Sequence, residues 1–446
     1  MSLSTMLGAA KVNITPDFPV ELQPFHPRLR ADGQTSVVNR PLHVRTLVFR
    51  QQTAEGDRRY GVLISADIIY FVDQRVHSLR RKMAERWGIE GNAVLFQGTH
   101  THSAPFPGSR VDASEDEAYM DYIELLEARI MESVEQAMAN LEPVVLERGT
   151  GTCGIGTYRR RIVDGSWTMN PDLTVPVDQE LIVLRFRRPD GIGADGGTAS
   201  PGSVKALLVN FACHPTTTCD NAISSDFPGA AMDELEQELG GGAVSFFLQG
   251  CCGDVKVATL RGDRYYDGNE EDVARFGHEL AAQVRVVLEA PMEHRAFVPF
   301  RFRHKRVQLP FQSLPSPEEL LEALKATNIR EEWAGILLGF PHLLREADPL
   351  EIHYYELGES FSIVAMNGEV VGEYGRFIKT QYGERVLPVG YSNGHTTYIP
   401  TARQLAEGGY EGDYVFYRHG KPSPYAPSIE RMIKEGMVEL IDGRQN

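Results

Sequence analysis

Short apolar runs alternate with stretches of helical spacing along much of the chain. Tyr60 to Ala66 (YGVLISA) is a compact apolar run of the kind a buried strand needs. Asp73 to Trp87 follows, with Val76, Leu79, Met83 and Trp87 on one helical face. Ala93 to Phe96 is the next apolar run. Strand, helix and strand in this order predict a parallel pair, because a helical crossover brings the chain back in its original direction. The succession recurs at Val204 to Phe211, Gly229 to Leu239 and Ala243 to Leu248, with Asp226 and Pro228 as the helix start signal. Phe361 to Met366 is another strand-like run, and Val371 to Tyr382 behind it reads as a helix. The pattern predicts an α/β fold: a mixed, partly parallel sheet with helices packed on its faces.

The intervening stretches are less regular. Pro189 to Gly202 is rich in Gly, Asp, Ser and Pro and reads as a loop. Ser316 to Glu346 reads as helical, an insertion or a lid, and Ser428 to Leu440 as a last helix. No linker and no internal repeat is visible, so residues 1–446 are expected to form one elaborated catalytic domain. Apolar content of 42% and charged content of 24% are those of an ordinary globular protein, which excludes a disordered chain. The formal net charge of -16 argues against nucleic acid and anionic lipid as partners, since both repel an acidic surface. No segment has the length and apolarity of a bilayer span, so no integral membrane contact is expected. The first residues lack the basic-then-apolar pattern of a secretory leader. Five cysteines at irregular spacing predict reduced thiols in a cytoplasmic protein. The lack of any CxxC pair argues against a cysteine-based zinc site.

Candidate chemistry gathers where the predicted strands end. Asp67 follows the first run, His100 and His102 (QGTHTHSAP) the second, and His214 (NFACHPTTT) the third. Asp254 (QGCCGDV) follows the fourth, and Glu369 (AMNGEVVGEYG) the fifth. In α/β sheets, ligands bind outside the carboxyl ends of strands, so segments remote in sequence would share one rim. Histidine is the commonest metal ligand, because neutral imidazole offers a lone pair at neutral pH. Positions two apart in an extended segment point to the same side, so His100 and His102 are candidates to face one metal or one substrate. Each residue also has an ordinary reading. The histidines would be bonded to loop backbone, Glu369 would complement a helix dipole, and Asp67 and Asp254 would cap a turn or helix. An HxH motif also occurs in amidohydrolase barrels, where it ends the first strand. In metallo-β-lactamase folds it continues as HxHxDH, where this chain has Ser103, Ala104 and Pro105.

Taken in order, these stretches resemble the catalytic domain of the neutral/alkaline non-lysosomal ceramidases. The resemblance runs through GAAKVNITP, ISAD, GTHTHS, NFACHPTT, SDFPGA, QGCCGDV, NGEVVGEYG and YSNGHTTYIPTARQLAEGGYEG. It implies a zinc ion held by His100, His214, Glu369 and Tyr398. It implies a second active-site tyrosine at Tyr410 and an active-site arginine in the GTYRRR stretch, where Arg159 is the choice and Arg160 and Arg161 blur the alignment. Zinc accepts imidazole and carboxylate, and a coordinated phenol would lose its proton. Zinc lowers the pKa of bound water to about 7, which makes a nucleophile available near neutral pH. In that scheme His102 carries a proton to the leaving amine, and Arg159 and Tyr410 donate to the oxyanion.

The chain departs from the family in places. Where the ceramidases have a serine after the Gly-Asp pair, in a stretch like GDVSPN, this chain reads GDVKVA, with Lys256 in that position. A lysine suits an acidic substrate group better than a lipid alcohol; its ordinary reading is a solvated charge. Ala104, Phe106 and Pro107 replace glycines after the His-Thr-His motif, so the entrance should differ in shape. The C-terminal sandwich domain of the ceramidases has no counterpart before Asn446. The expectation is a zinc-dependent hydrolase that cuts an amide bond of a small-molecule substrate smaller or more polar than ceramide. The alternatives are a zinc esterase or lactonase on the same site, or a non-catalytic ligand-binding relative.

Overall fold

The structure is a computed structural model that describes residues 5–22, 33–52, 56, 58–109, 119–189 and 203–443. The predicted loop at Pro189 to Gly202 falls, but for Pro189 itself, outside them.

Both expected parallel pairs form, but in two different sheets, and a third pair that the sequence did not announce forms in a third sheet. In the first, Thr5–Asn13, His43–Gln52 and Arg58–Ala66 run antiparallel. The helix Asp73–Trp87 then crosses over to Val94–Gly98, which pairs parallel to Arg58–Ala66. In the second, Val145–Thr152, Glu180–Arg187 and Val204–Phe211 are antiparallel, and Asp226–Leu239 crosses over to Val244–Gln249. In the third, Phe297–Pro310, Ala347–Gly358 and Phe361–Met366 are antiparallel, and Gly372–Tyr382 crosses over to Val386–Val389. The molecule is thus built from three β-β-β-α-β units. The sequence shows no repeat because the units share strand order and not residues.

One face of each sheet is turned to a common core. Leu7, Leu47, Leu63 and Leu95 come from the first sheet, Ile182, Leu208 and Phe246 from the second, and Tyr355, Ile363 and Leu387 from the third. Phe49, Phe186 and Phe361, one from each sheet, meet at its centre with ring centroids 5.3, 5.7 and 5.8 Å apart. Truncating one such ring removes about 3–5 kcal/mol. Side chains alternate across a strand, so Val62, Ile64, Val94 and Phe96 face outward, under Asp73–Trp87 and Met120–Ala139. The outer faces of the other sheets are covered by Asp226–Leu239 with Glu270–Glu289, and by Gly372–Tyr382 with Ile429–Asp442. Strands buried on both faces read as unbroken apolar runs.

The three crossovers end side by side. Gln97 donates to the carbonyl of Gln249 (3.2 Å), Gln249 to that of Thr99 (3.1 Å), and the Gly390 N–H to that of Gln249 (3.3 Å). Gly98 permits this approach: a Cβ there would sit 2.8 Å from the Ile68 carbonyl oxygen.

Two boundaries differ from expectation. The second crossover helix begins at Asp226 rather than Gly229, because Pro228 lies in the first turn, where a missing N–H is tolerated. The stretch Ser316 to Glu346 is a helical insertion within the long hairpin of the third sheet. It forms Pro317–Ala323, opened by a Ser316 capping box, and Ile329–Gly339. These helices pack around Leu320, Trp333 and Leu337 against Tyr417. No described helix is long and apolar enough to cross a membrane, and all five cysteines are free thiols.

Candidate metal centre

Each unit sends residues from its strand ends to one place. His100 follows the last strand of the first unit. Its φ of 73° lies in the left-handed region, so the His-Thr-His segment is bent rather than extended. The bend lets the His100 N–H donate to Ile68 O at 3.0 Å and its Nδ1 donate to Ile69 O at 2.7 Å. His214 follows Val204–Phe211 of the second unit, and its Nδ1 donates to Cys252 O at 2.7 Å. In the third unit, Glu369–Val370 pairs in parallel with Tyr398–Ile399, which sets Glu369 directly beside Tyr398.

The side chains converge. His100 Nε2 lies 3.2 Å from His214 Nε2, and Glu369 Oε2 lies 3.1 Å from the first and 3.3 Å from the second. The Tyr398 hydroxyl is 3.4 Å from His214 Nε2. His100, His214, Glu369 and Tyr398 are all buried. A carbonyl only accepts, so each Nδ1 must hold the imidazole proton and each Nε2 of a neutral ring presents a lone pair. Burial pushes His214 down to about 4, so it is neutral near pH 7. Burial alone would raise the Glu369 carboxyl, but the adjacent His100 and the histidine contacts hold it well below the usual carboxylate range. Glu369 Oε2 has no hydrogen-bond partner. Two imidazole nitrogens and a carboxylate oxygen thus face one another at 3.1 to 3.3 Å, with the Tyr398 hydroxyl beside them. Imidazole and carboxylate are donors that a divalent cation such as zinc takes.

His102 joins the group: its Nε2 is 3.2 Å from that of His100, and the donor atoms of His100, His102 and His214 lie within 4.8 Å of one another. It is half-buried, on the open side of the cluster, whereas His100 and His214 are enclosed. Geometry alone leaves His102 as close as Glu369.

The three consecutive arginines separate. Arg159 donates from Nη2 to the Tyr398 hydroxyl (3.0 Å) and from Nε to Glu411 (2.7 Å), and its Nη1 meets no acceptor among the described residues. Arg160 lies behind it, bonded to Glu411, Glu407 and the Gly408 carbonyl. Arg161 points outward to Asp263. Tyr410 packs edge-on against Tyr398 at 5.4 Å, under the Arg159 guanidinium, and burial pushes its phenol up to about 12. Lys256 sits next to His214 through a backbone bridge and is half-buried.

Asp67 and Asp254 take structural roles. Asp67 accepts from the His43 N–H and faces Arg45. Asp254 accepts from the Gly372 N–H at the start of the third crossover helix, and from Gln404. Two residues escaped sequence reasoning. Glu411, fully buried, holds Arg159 and Arg160 together from a single π-turn, Tyr410–Tyr414; only its adjacency to Tyr410 hinted at it. His395 places Nε2 3.3 Å from Glu369 Oε1, on the side away from the other imidazoles. It lies three residues before Tyr398, inside a stretch already singled out.

The described residues thus define an α/β protein with a buried cluster of imidazoles, carboxylate and phenol at its strand ends. Solved structures share its fold. Neutral ceramidase from Pseudomonas aeruginosa matches with a TM-score of 0.72 and 18% identity, over 99% of this chain and 74% of that one. A ceramidase complexed with C2 matches with a TM-score of 0.73 and 18% identity, over 98% and 75%. No family model matches the sequence, and no curated protein matches it.

Proposed function

We propose that this protein is a zinc-dependent hydrolase that cleaves the amide bond of a small N-acyl compound, smaller or more polar than ceramide. One observation carries the reading: the convergence of the buried His100, His214 and Glu369 side chains at the ends of three sheets. The shared ceramidase fold supports the choice of amide chemistry. His100, His214, Glu369 and Tyr398 would hold the metal. When bound, a divalent ion there supplies Lewis acidity for the scissile carbonyl and lowers the pKa of water to about 7. His102, on the open side, takes the proton of the attacking water at Nε2 and returns it to the leaving amine. Arg159 donates from its spare Nη1 to the carbonyl oxygen as charge builds there, and the Tyr410 hydroxyl donates beside it. The free thiols support a cytoplasmic location, and we read the chain as one catalytic domain.

The test is an assay of paired N-acyl amides and esters, ceramide among them, with chelated and zinc-restored protein. Amide cleavage that returns with zinc is expected. A zinc-replete protein inert toward the whole panel sinks the hydrolase reading, and cleavage of esters alone replaces it with an esterase.

His395 is expected to matter through Glu369. Carboxylates that bind metal are themselves held by an outer partner, whose loss typically weakens metal binding about 10–100-fold. His395→Ala should show that loss in competition titration with a chromophoric chelator, and His395→Gln should recover part of it. Unchanged zinc affinity in His395→Ala would remove this role.

A further inference from the structure

Lys256 lies in the short strand Val255–Val257, which pairs antiparallel with Gly156–Tyr158. Val255 and Val257 point into the core beside Ile155 and Cys213. Lys256 and its register partner Thr157 therefore face the other way. The pairing continues through the Arg159 N–H, which donates to the Asp254 carbonyl at 3.0 Å. Arg159, two residues beyond Thr157, emerges on the Lys256 side, and its guanidinium reaches Tyr398. On its other edge Lys256 bridges His214. The backbone of Lys256 thus lies next to that of His214, and its side chain leaves the strand on the same side as Arg159.

The charge of Lys256 is unlike that of every other lysine here. Lys11, Lys82, Lys205, Lys305, Lys325, Lys379, Lys421 and Lys434 each pair with a carboxylate. Lys256 has no carboxylate within ion-pair distance among the described residues; its Nζ lies over the Tyr265 ring, 5.0 Å from the centroid. Of the two acids whose charge reaches it, Asp267 is exposed to solvent, and Asp226 is committed to Thr217, at 2.6 and 3.0 Å, and to the Phe227 N–H. The Thr157 hydroxyl bonds the Lys256 carbonyl at 3.2 Å and lies 2.9 Å from the Tyr265 hydroxyl. A half-buried ammonium with no carboxylate in contact is a costly arrangement that a bound anion would relieve. Burial accordingly pulls the Lys256 pKa down.

We propose that Lys256 is an anion subsite and that the substrate is an amide carrying a carboxylate, which pairs with the Lys256 ammonium while its scissile bond lies at the His100–His214–Glu369 cluster. The proposal rests on the hydrolase reading for its cleavage step, but the subsite itself is testable by binding alone. The probes are N-octanoylglycine, with the carboxylate on the amine side, the mono-octylamide of succinic acid, with it on the acyl side, and N-octanoylpropylamine, which is neutral. Binding is measured by calorimetry on the full chain stripped of metal, so that nothing turns over. At least one charged probe should bind about 10- to 100-fold more tightly than the neutral one. Lys256→Met and Lys256→Gln should erase that preference, and Lys256→Arg should keep it. Equal binding of charged and neutral probes by the unaltered protein, or a preference that survives both neutral substitutions, overturns the subsite. Turnover of the same probes with zinc restored then judges the other reading separately: three uncleaved probes count against the hydrolase, whatever the binding result.

Discussion

His214→Ala is expected to lower zinc affinity by well over 100-fold, more than the loss of an outer partner would, and to abolish amide cleavage. The mechanism is local. The His214 ring is pinned by Cys252 O through Nδ1, and its Nε2 faces His100, Glu369 and the Tyr398 hydroxyl. A bound ion stabilises only the native state, by RT ln(1 + [L]/Kd). Zinc should therefore raise the unfolding midpoint of the parent and leave that of His214→Ala unmoved. Metal analysis and thermal unfolding with and without zinc check both expectations. A variant that keeps one zinc per chain would show that the ion sits elsewhere.

A large effect on stability is expected at Glu411. Its carboxylate is fully buried between Arg159 and Arg160, at 2.7 and 2.6 Å. Glu411→Ala would strand two guanidinium groups inside the protein, a loss of about 3–5 kcal/mol for a broken buried pair, read from the urea midpoint. The same carboxylate sets an acid dependence. Burial acts to raise its pKa, but the two guanidinium groups outweigh it and hold Glu411 below its ordinary value. A depressed pKa contributes stability that is fully present above the unfolded value, about 4.3, and is lost as pH falls from there through the folded value. The parent should therefore lose stability more steeply than Glu411→Ala below about pH 4.3. Parallel slopes would assign the acid sensitivity to other carboxylates.

The crossover units were legible because their strands are buried on both faces. Runs such as Val204 to Phe211 stay apolar throughout, and the Asp73–Trp87 helix shows its period in Val76, Leu79 and Met83. The division into three sheets was not legible, because no local pattern records which face of a strand meets which neighbour. Leu63 and Ile64 look alike in sequence, yet one faces the shared core and the other the helices. The site was legible as a set of strand-end residues, and their convergence followed from the topology. Arg159 could not be told from Arg160 and Arg161, since only the alternation of the chain at that point sends the first toward Tyr398. Glu411 was hidden because a buried acid in a π-turn leaves no periodic trace.

The three-unit plan bears on how the protein is made. His100 belongs to the first unit to leave the ribosome, His214 to the second, and Glu369 with Tyr398 to the third. A nascent chain that has completed two units holds imidazoles but no acid to complete the cage, so tight capture of metal must wait until synthesis is nearly finished. On the proposed reading an ion there would act as a keystone, and truncated or misassembled copies would be marked by their failure to retain it.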